Sequence, residues 1–589
     1  MGGRHGSVEA APGAEQSVGA LPLVVGVTSH RHISPDEIES IRRCVREFLR
    51  GLQRDFPQRP LLILSPLAEG GDQWVADEGL ALGARLVAPL PMPREQYAHD
   101  FHDVDTRGEF SRLCARAQIV DVSALPGFVS PGPPSRGGNR DLLYAQAGIY
   151  VSNHCHILIA IWDGQDSDHL GGTAQIAHYH LTGIKPAQVA TMHPARRRLG
   201  HPNHQMLYHI SCSRQRPQAA RAAGSAPRPP DARWRIGEHT TPGNEPMPAT
   251  FRARLDLASE FAQEQHKYMS RNSTHPGLSE NRDGTASTAG ESQVERLFRS
   301  ADWLAIHFQQ RVVSSLRALY TLAALMAIAF AAYDNLPAQD DMIYVFLLLF
   351  ALGGFIALLA NRRGWHRKYL DYRALAEGLR IQFHWRRAGL SLIDDDGFAH
   401  GSFPQKADAE LDWVRDVMRC ADVEDDASAS PAAIATIDDV IRQWIGDARH
   451  PGQLDYYERK VAQRARTHRM TERIGSVSLV IGIGISIVLA LFTHQMTANL
   501  KNDLIVLMAV FSVVAGVRSA YAYKKADKEL IQQYRSIHRH FLEAQKAIRL
   551  ARSIDEKREV LRLLGEAALA EQVEWVSMQR QRPLEHNRI

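Results

Sequence analysis

Through the first 195 positions, short apolar runs alternate with stretches whose apolar residues recur at steps of three and four. Leu23–Val27, Leu61–Leu64, Arg85–Ala88, Ile119–Val122 and His156–Trp162 read as strands. The run after the first strand carries a helix start: Ser34 as N-cap, Pro35 at N1 and Glu37 closing a capping box. Ile38, Ile41, Val45, Phe48 and Leu49 then share one helical face. Further helices are expected from Asp72 to about Gly83, near Asp141–Val151 and over Gly172–Leu181. Strand and helix in alternation predict a parallel sheet covered on both faces, an α/β domain over 21–195.

The pattern then breaks. Residues 195–250 are rich in Pro, Arg, Gly and Ala and read as mostly linker, with one candidate strand at Leu207–Ser211. A helix is expected at Ala253–Met269, and Asn272–Ser292 is a second polar stretch, so 196–293 is taken as linker and insert.

Four segments of nearly bilayer length follow: Val312–Tyr333, Met342–Ala360, Ile474–Thr493 and Leu504–Tyr523. About 20 apolar residues are needed to span a membrane as a helix. The only charges within them are Arg317 and Arg518, each near one end. The loop Asp334–Asp341 has three acids and no base, while Arg311, Arg362, Arg363, Arg367 and Lys368 flank the other side. The second hairpin loop carries only Lys501, against Arg466, Arg469, Arg473, Lys524, Lys525 and Lys528 outside it. This asymmetry predicts a multi-pass protein with both hairpin loops outside and both termini cytoplasmic, and the cell (inner) membrane is the expected location. Arg317 and Arg518 are read either as snorkelling to headgroups or as a ring at a pore mouth.

The hairpins look like a repeat. Trp365, Tyr369, Tyr372, Ala376, Leu379 and Phe383 form a stripe after the second span, and Leu530, Tyr534, Ile537, Phe541, Ala544 and Ile548 repeat its spacing after the fourth. Two units are therefore expected, 294–450 and 451–555, with a helical tail at 556–589. Ala323, Ala327 and Ala331 line a small-residue face on one helix, and Ser478, Gly482, Ser486 and Ala490 on another. Such faces suit packing within a chain, or contacts in a homo-oligomer.

Composition narrows the function classes. A net charge of +4 over 589 residues gives no basic surface, and no nucleic acid is expected as partner. Five scattered cysteines fit a reducing compartment better than a disulfide framework. No metal-ligand spacing is present, and the first twenty residues lack a signal-peptide core.

Three turns carry the candidate chemistry, each after a strand and before a helix, where open α/β sheets bind ligands. In the first, Gly26 would allow close backbone approach, Thr28 offers a hydroxyl, and His30 and Arg31 offer donors to phosphate. In the second, Glu69, Gly70, Gly71 and Asp72 combine clearance with an acid for ribose hydroxyls or for a helix cap. The third joins Trp162, Asp163 and Gly164 to Gly171, Gly172 and Thr173, whose amides open a helix and can hold an anion. Trp162 is read either as core or as a platform for a base.

Val25-Gly-Val-Thr-Ser-His-Arg-His32, Leu64-Ser-Pro-Leu-Ala-Glu-Gly-Gly-Asp72 and Ile159-Ala-Ile-Trp-Asp-Gly164 with Gly171-Gly-Thr173 resemble the SLOG superfamily. That group includes the LOG phosphoribohydrolases, DprA-type proteins and the N-terminal regions of TRPM channels. The hairpins of 294–550 resemble SLATT domains, two-helix membrane effectors of bacterial defence systems. The resemblance implies a Rossmann-like nucleotide-binding domain fused to an all-α region of two repeated hairpins. It also implies a nucleotide-derived ligand, a pore-forming effector and an antiviral or stress role. The catalytic Glu of the LOG motif PGGxGTxxE is replaced here, since the position three after Thr173 is Ile176. That favours sensing over catalysis, with no cofactor assigned. Glu69 and Asp163 remain as candidate catalytic groups of a nucleotide or NAD hydrolase, and a membrane scaffold for a protein partner is the third reading.

Overall fold

The computed structural model describes residues 20–101, 103–125, 138–186, 188–189, 205–214, 231–237, 239–241, 245–272, 275–278, 292–336, 339–390, 411–428, 436–447, 450–492, 494–525 and 527–580. Most of the segment read as linker, most of the second polar stretch and the last nine residues of the tail lie outside them. The chain forms two compact units, 1–301 with 375–434, and 302–374 with 435–589.

The first unit is built on one sheet. Its strands are β1 (Leu23–Ser29), β2 (Leu61–Leu64), β3 (Arg85–Leu90), β4 (Gln118–Asp121), β5 (Ile157–Trp162), β6 (Met206–Ser211), β7 (Ala232–Ile236) and β8 (His239–Thr240). They lie in the order β4-β3-β2-β1-β5-β6-β7-β8. The first six pair in parallel and the last two antiparallel. β1 and β2 are almost wholly apolar because both faces of the sheet are covered.

Helices α1 (Ile38–Asp55), α2 (Gly71–Ala81) and α3 (Val104–Cys114) cover one face, and α4 (Gly138–His154) and α5 (Thr173–Thr182) the other. Alternate residues of β1 serve the two cores: Leu23, Val25 and Val27 enter the first, and Val24 the second. Growth in one direction through β1–β4 and in the other through β5 and β6 places the switch between β1 and β5.

Three expectations change. The capping box does not form: Ser34 makes no side-chain cap, α1 begins at Ile38 after a 3-10 turn, and Glu37 accepts instead from the Ser213 amide at 2.7 Å. The sheet also continues into residues read as linker. In β7, Trp234 is buried against Phe48 and Tyr208, which repays ordering an otherwise basic strand. Finally, α10 (Asp412–Ala421) and α11 (Val423–Ser428) belong to the first unit. Cys420 and Val423 complete the second core, and Tyr150 donates to Asp426 at 2.7 Å.

Helix α6 (Ala249–Lys267) also belongs to this unit. Next in the chain come α7 (Gln293–Asn335), α8 (Met342–Arg362) and α9 (Trp365–Arg387). Past the first unit come α12 (Ile437–Trp444), α13 (Gln453–Phe492), α14 (Ala498–Lys525), α15 (Asp527–Leu550) and α16 (Ile554–Arg580). Among the described residues, four helical segments are long and apolar enough to cross a membrane. Their apolar side chains point outward: Leu348 is 69% exposed, Val480 68% and Leu491 71%. So much exposed hydrocarbon needs lipid to cover it. Outside the spans the polarity inverts, and Tyr372, Ile537 and Phe541 of the two stripes are buried.

Candidate functional site

The three turns meet at the carboxyl ends of β1 and β5. Thr28 pairs with Ala160 and Ser29 with Ile161, so the strands end side by side. The His30 amide extends the ladder by donating to the Ile161 carbonyl at 3.0 Å. His30 is buried, with its Nε2 3.0 Å from Asp163 Oδ1. Arg214 closes the group: its Nε lies 2.8 Å from Asp163 Oδ2 and 3.2 Å from His30 Nε2. The Gln165 amide donates to Asp163 Oδ1 at 3.1 Å, making an Asx turn. Burial lowers the His30 pKa, Arg214 adds to this, and the bond to Asp163 opposes it. Burial alone would raise the Asp163 carboxyl, but His30, the Gln165 amide and Arg214 outweigh it and hold it below the usual range.

The second turn lies flat on the end of β1. Gly70 has φ +95°, and a Cβ there would stand 2.7 Å from the Arg31 carbonyl oxygen. A Cβ on Gly71 would meet Ser29 Cβ at 2.7 Å and Ile161 Cδ1 at 2.9 Å. Both glycines are required by this contact. It carries Asp72, at the N-terminus of α2, under the rim, where only 3% of it is exposed. Burial pushes the Asp72 carboxyl up to about 7, against the pull of the Ser29 hydroxyl, Arg31 and the Ala68 and Ser29 amides. Asp72 Oδ1 and Ser29 Oγ are buried with no hydrogen-bond partner of ordinary geometry among the described residues. Glu69 is half-buried at the same turn.

The third turn reaches this rim through α4. The Arg31 guanidinium lies 5.1 Å from the centre of the Tyr144 ring. Tyr144 donates to Asp100, which also pairs with Arg140. Gly171, at φ +75°, presses on α4, and a Cβ would meet the Ala145 nitrogen at 2.7 Å and Tyr144 Cβ at 2.9 Å. Gly172 is the N-cap of α5 and Thr173 its buried first residue. Two helix N-termini and Arg31 thus offer positive potential beside the acids Asp72 and Asp163. That combination suits phosphate together with a sugar diol.

Two of the named residues do other work. Gly26 sits mid-strand, where a Cβ would strike Val151 Cγ1 at 2.8 Å and Cys155 Cβ at 2.9 Å. It admits α4 to the sheet and does not reach the crevice. Trp162 is 4% exposed, its indole donates to the Gln165 carbonyl at 2.9 Å, and its ring lies 5.2 Å from that of His209 and 5.2 Å from Arg235 Cζ. It is packing and offers no free face to a base. Gly164, exposed at φ +79°, turns the chain beside it. Sequence reasoning missed Tyr144, Asp100 and Arg214. Tyr144 lies inside α4, Asp100 in the connection between β3 and α3, which carries no glycine signal, and Arg214 just past β6, in a stretch read as linker. No protein-family model, curated protein or solved structure matches this chain.

Proposed function

We propose that the chain is a membrane sensor-effector. In this reading the first unit, Rossmann-like and of SLOG type, binds a nucleotide-derived ligand. The second, two SLATT-like hairpins, gates or assembles a pore as a homo-oligomer in the inner membrane, with both termini cytoplasmic. One observation carries the reading. Arg31, Asp72, Asp163 and the glycine turns converge at the strand-order switch in a chain that also has four helices of spanning length. The chain passes between the two units inside helices, since α7 and α9 each contribute residues to both. A ligand that prefers one arrangement of the first unit can shift the membrane helices by its difference in affinity.

The test uses the full chain in detergent and then in liposomes. Nucleotides, ADP-ribose and cyclic nucleotides are screened by thermal shift, followed by dye release with any hit. Stabilisation that Arg31→Ala abolishes, together with ligand-dependent release, is expected. Ligand binding with tight liposomes would remove the pore, and silence across the screen would favour the scaffold.

A hydrolase is the second reading, supported by one group. The Asp72 carboxyl at about 7 could donate or accept a proton at neutral pH. Asp163 is less suited, being engaged by His30, Arg214 and its own turn. Product formation that Asp72→Asn removes, with binding retained, would favour this reading over a sensor.

A further inference from the structure

A cleft of roughly 360 Å³ is lined only by residues of the second unit. Pockets of about 300–1,000 Å³ hold small ligands. Its lining includes Arg317, Arg464 and Lys524, with His366 beside them, and no carboxylate. Tyr369 and Trp575 form an aromatic wall, their rings 5.9 Å apart and edge-on. His366 Nε2 lies 3.3 Å from the Gln579 carbonyl, while its Nδ1 is buried without a partner. Val312, Leu316 and Leu530 supply an apolar side.

The position of these residues along the chain decides what the cleft faces. Val312 and Arg317 lie in the first turns of the first apolar segment. Lys524 directly follows the last, and His366 comes four residues after Arg362, where α8 ends. All belong to the basic ends of the spans, opposite the acidic loop Asp334–Asp341. At about 1.5 Å per residue, these residues are within two turns of the apolar boundary, and Arg464, ten residues before Ile474, reaches the same cleft from nearly three turns away. Cations, amide and hydroxyl donors and aromatic rings gathered at that level match the interfacial zone of a bilayer.

We propose that this cleft is a binding site for the phosphate of an anionic phospholipid headgroup. Arg317, Arg464 and Lys524 hold the phosphate, His366 Nδ1 accepts from a headgroup hydroxyl because the Nε2–H is turned to the Gln579 carbonyl, and the Val312–Leu316 side receives the start of an acyl chain. A soluble phosphate would satisfy the cations but leave the apolar side facing water, so the lipid is the fitting occupant. Basic pockets between membrane helices recognise such headgroups. Occupancy ties together the roots of α7, α9, α13, α14, α15 and α16. The inference rests on the spanning helices and on no property of the nucleotide rim.

The test is native mass spectrometry of the delipidated full chain with phosphatidylglycerol or phosphatidylcholine, and with inorganic phosphate or glycerol 3-phosphate as competitors. Preferential retention of phosphatidylglycerol is expected. Arg317→Gln and Lys524→Gln should each weaken it about fivefold, Lys524→Arg should keep it, and Arg363→Gln, outside the cleft, should leave it unchanged. Equal retention of the two lipids, or an equal loss in Arg363→Gln, overturns the site. Competition by either soluble phosphate at matched concentration overturns the lipid as occupant. A variant that unfolds is recognised by its thermal transition in detergent, and the lipid preference and phosphate competition of the unaltered chain then decide.

Discussion

Asp72 shows how one buried acid ties stability to binding. Its ordinary value is 3.8 and its folded value about 7. Between these limits the folded chain keeps a proton that the unfolded chain has released. Stability therefore falls as pH rises through that window, and the cost stays above it. Asp72→Asn should stabilise the protein at pH 8 by roughly 2–4 kcal/mol, and by much less at pH 5. Denaturant titration of the full chain at the two pH values measures this. A variant equally or less stable at pH 8 would contradict the assigned burial. Gly71 makes the neighbouring case. Gly71→Ala sets a methyl within 3 Å of Ser29 and Ile161, and overpacking of this kind costs about 1–3 kcal/mol. Loss of stability together with ligand response is expected, since the same turn carries Asp72.

At the scale of elements, the small-residue faces of the two hairpins behave differently. Ser478 and Gly482 are buried, and a Cβ on Gly482 would lie 3.5 Å from Ser512 Oγ and 3.7 Å from Phe511 Cβ. That part of the α13 face is occupied by α14 of the same chain. Ala323 on α7 is exposed, and Ala327 and Ala331 are half-buried. Gly482→Leu should therefore lower the unfolding temperature of the monomer in detergent. Ala323→Leu should leave it unchanged while shifting any oligomer distribution seen by light scattering. The opposite ranking would exchange the roles of the two faces. The β7 strand teaches a related lesson. Two of its five residues are arginines, and Trp234 anchors it by packing on Phe48 of α1 and Tyr208 of β6.

Across the whole molecule, the first unit stores many neutral histidines. Burial pushes His154 down to about 4 and His180 to about 3, and holds His156 and His384 well below 6.5. His156 also faces Arg59, whose Nη2 is 2.9 Å from its Nε2, so a second positive charge is disfavoured there. Below about pH 6.5 the unfolded chain binds protons that these groups refuse, and stability falls as the pH drops toward 4. Asp72 and Asp422, each raised to about 7 by burial, and Asp425, raised as well, act in the other direction, while Asp77, Asp163 and Asp416, held low by their partners, side with the histidines. The histidines outnumber the raised acids. The unfolding midpoint of the full chain should be lower at pH 5 than at pH 7.5. A flat or rising profile would mean that these rings are open to solvent.

The sequence by itself determined the features that depend on local period and composition. Short apolar runs such as Leu61–Leu64 and Ile157–Trp162, bounded by turn residues, read as strands buried on both faces, and a stretch such as Met342–Ala360 leaves few fates but lipid. The turns at Gly70-Gly71-Asp72 and Gly171-Gly172 were legible because glycine marks places where backbones touch. Tertiary structure decided what required partners far along the chain. It assigned Gly26 to helix packing, Trp162 to the core and Arg214 to the site, and it recruited Cys420, Val423 and Asp426 from more than two hundred residues away. These outcomes share a physical reason: a side chain's burial and charge depend on what packs against it, and a local pattern carries no record of its distant neighbours.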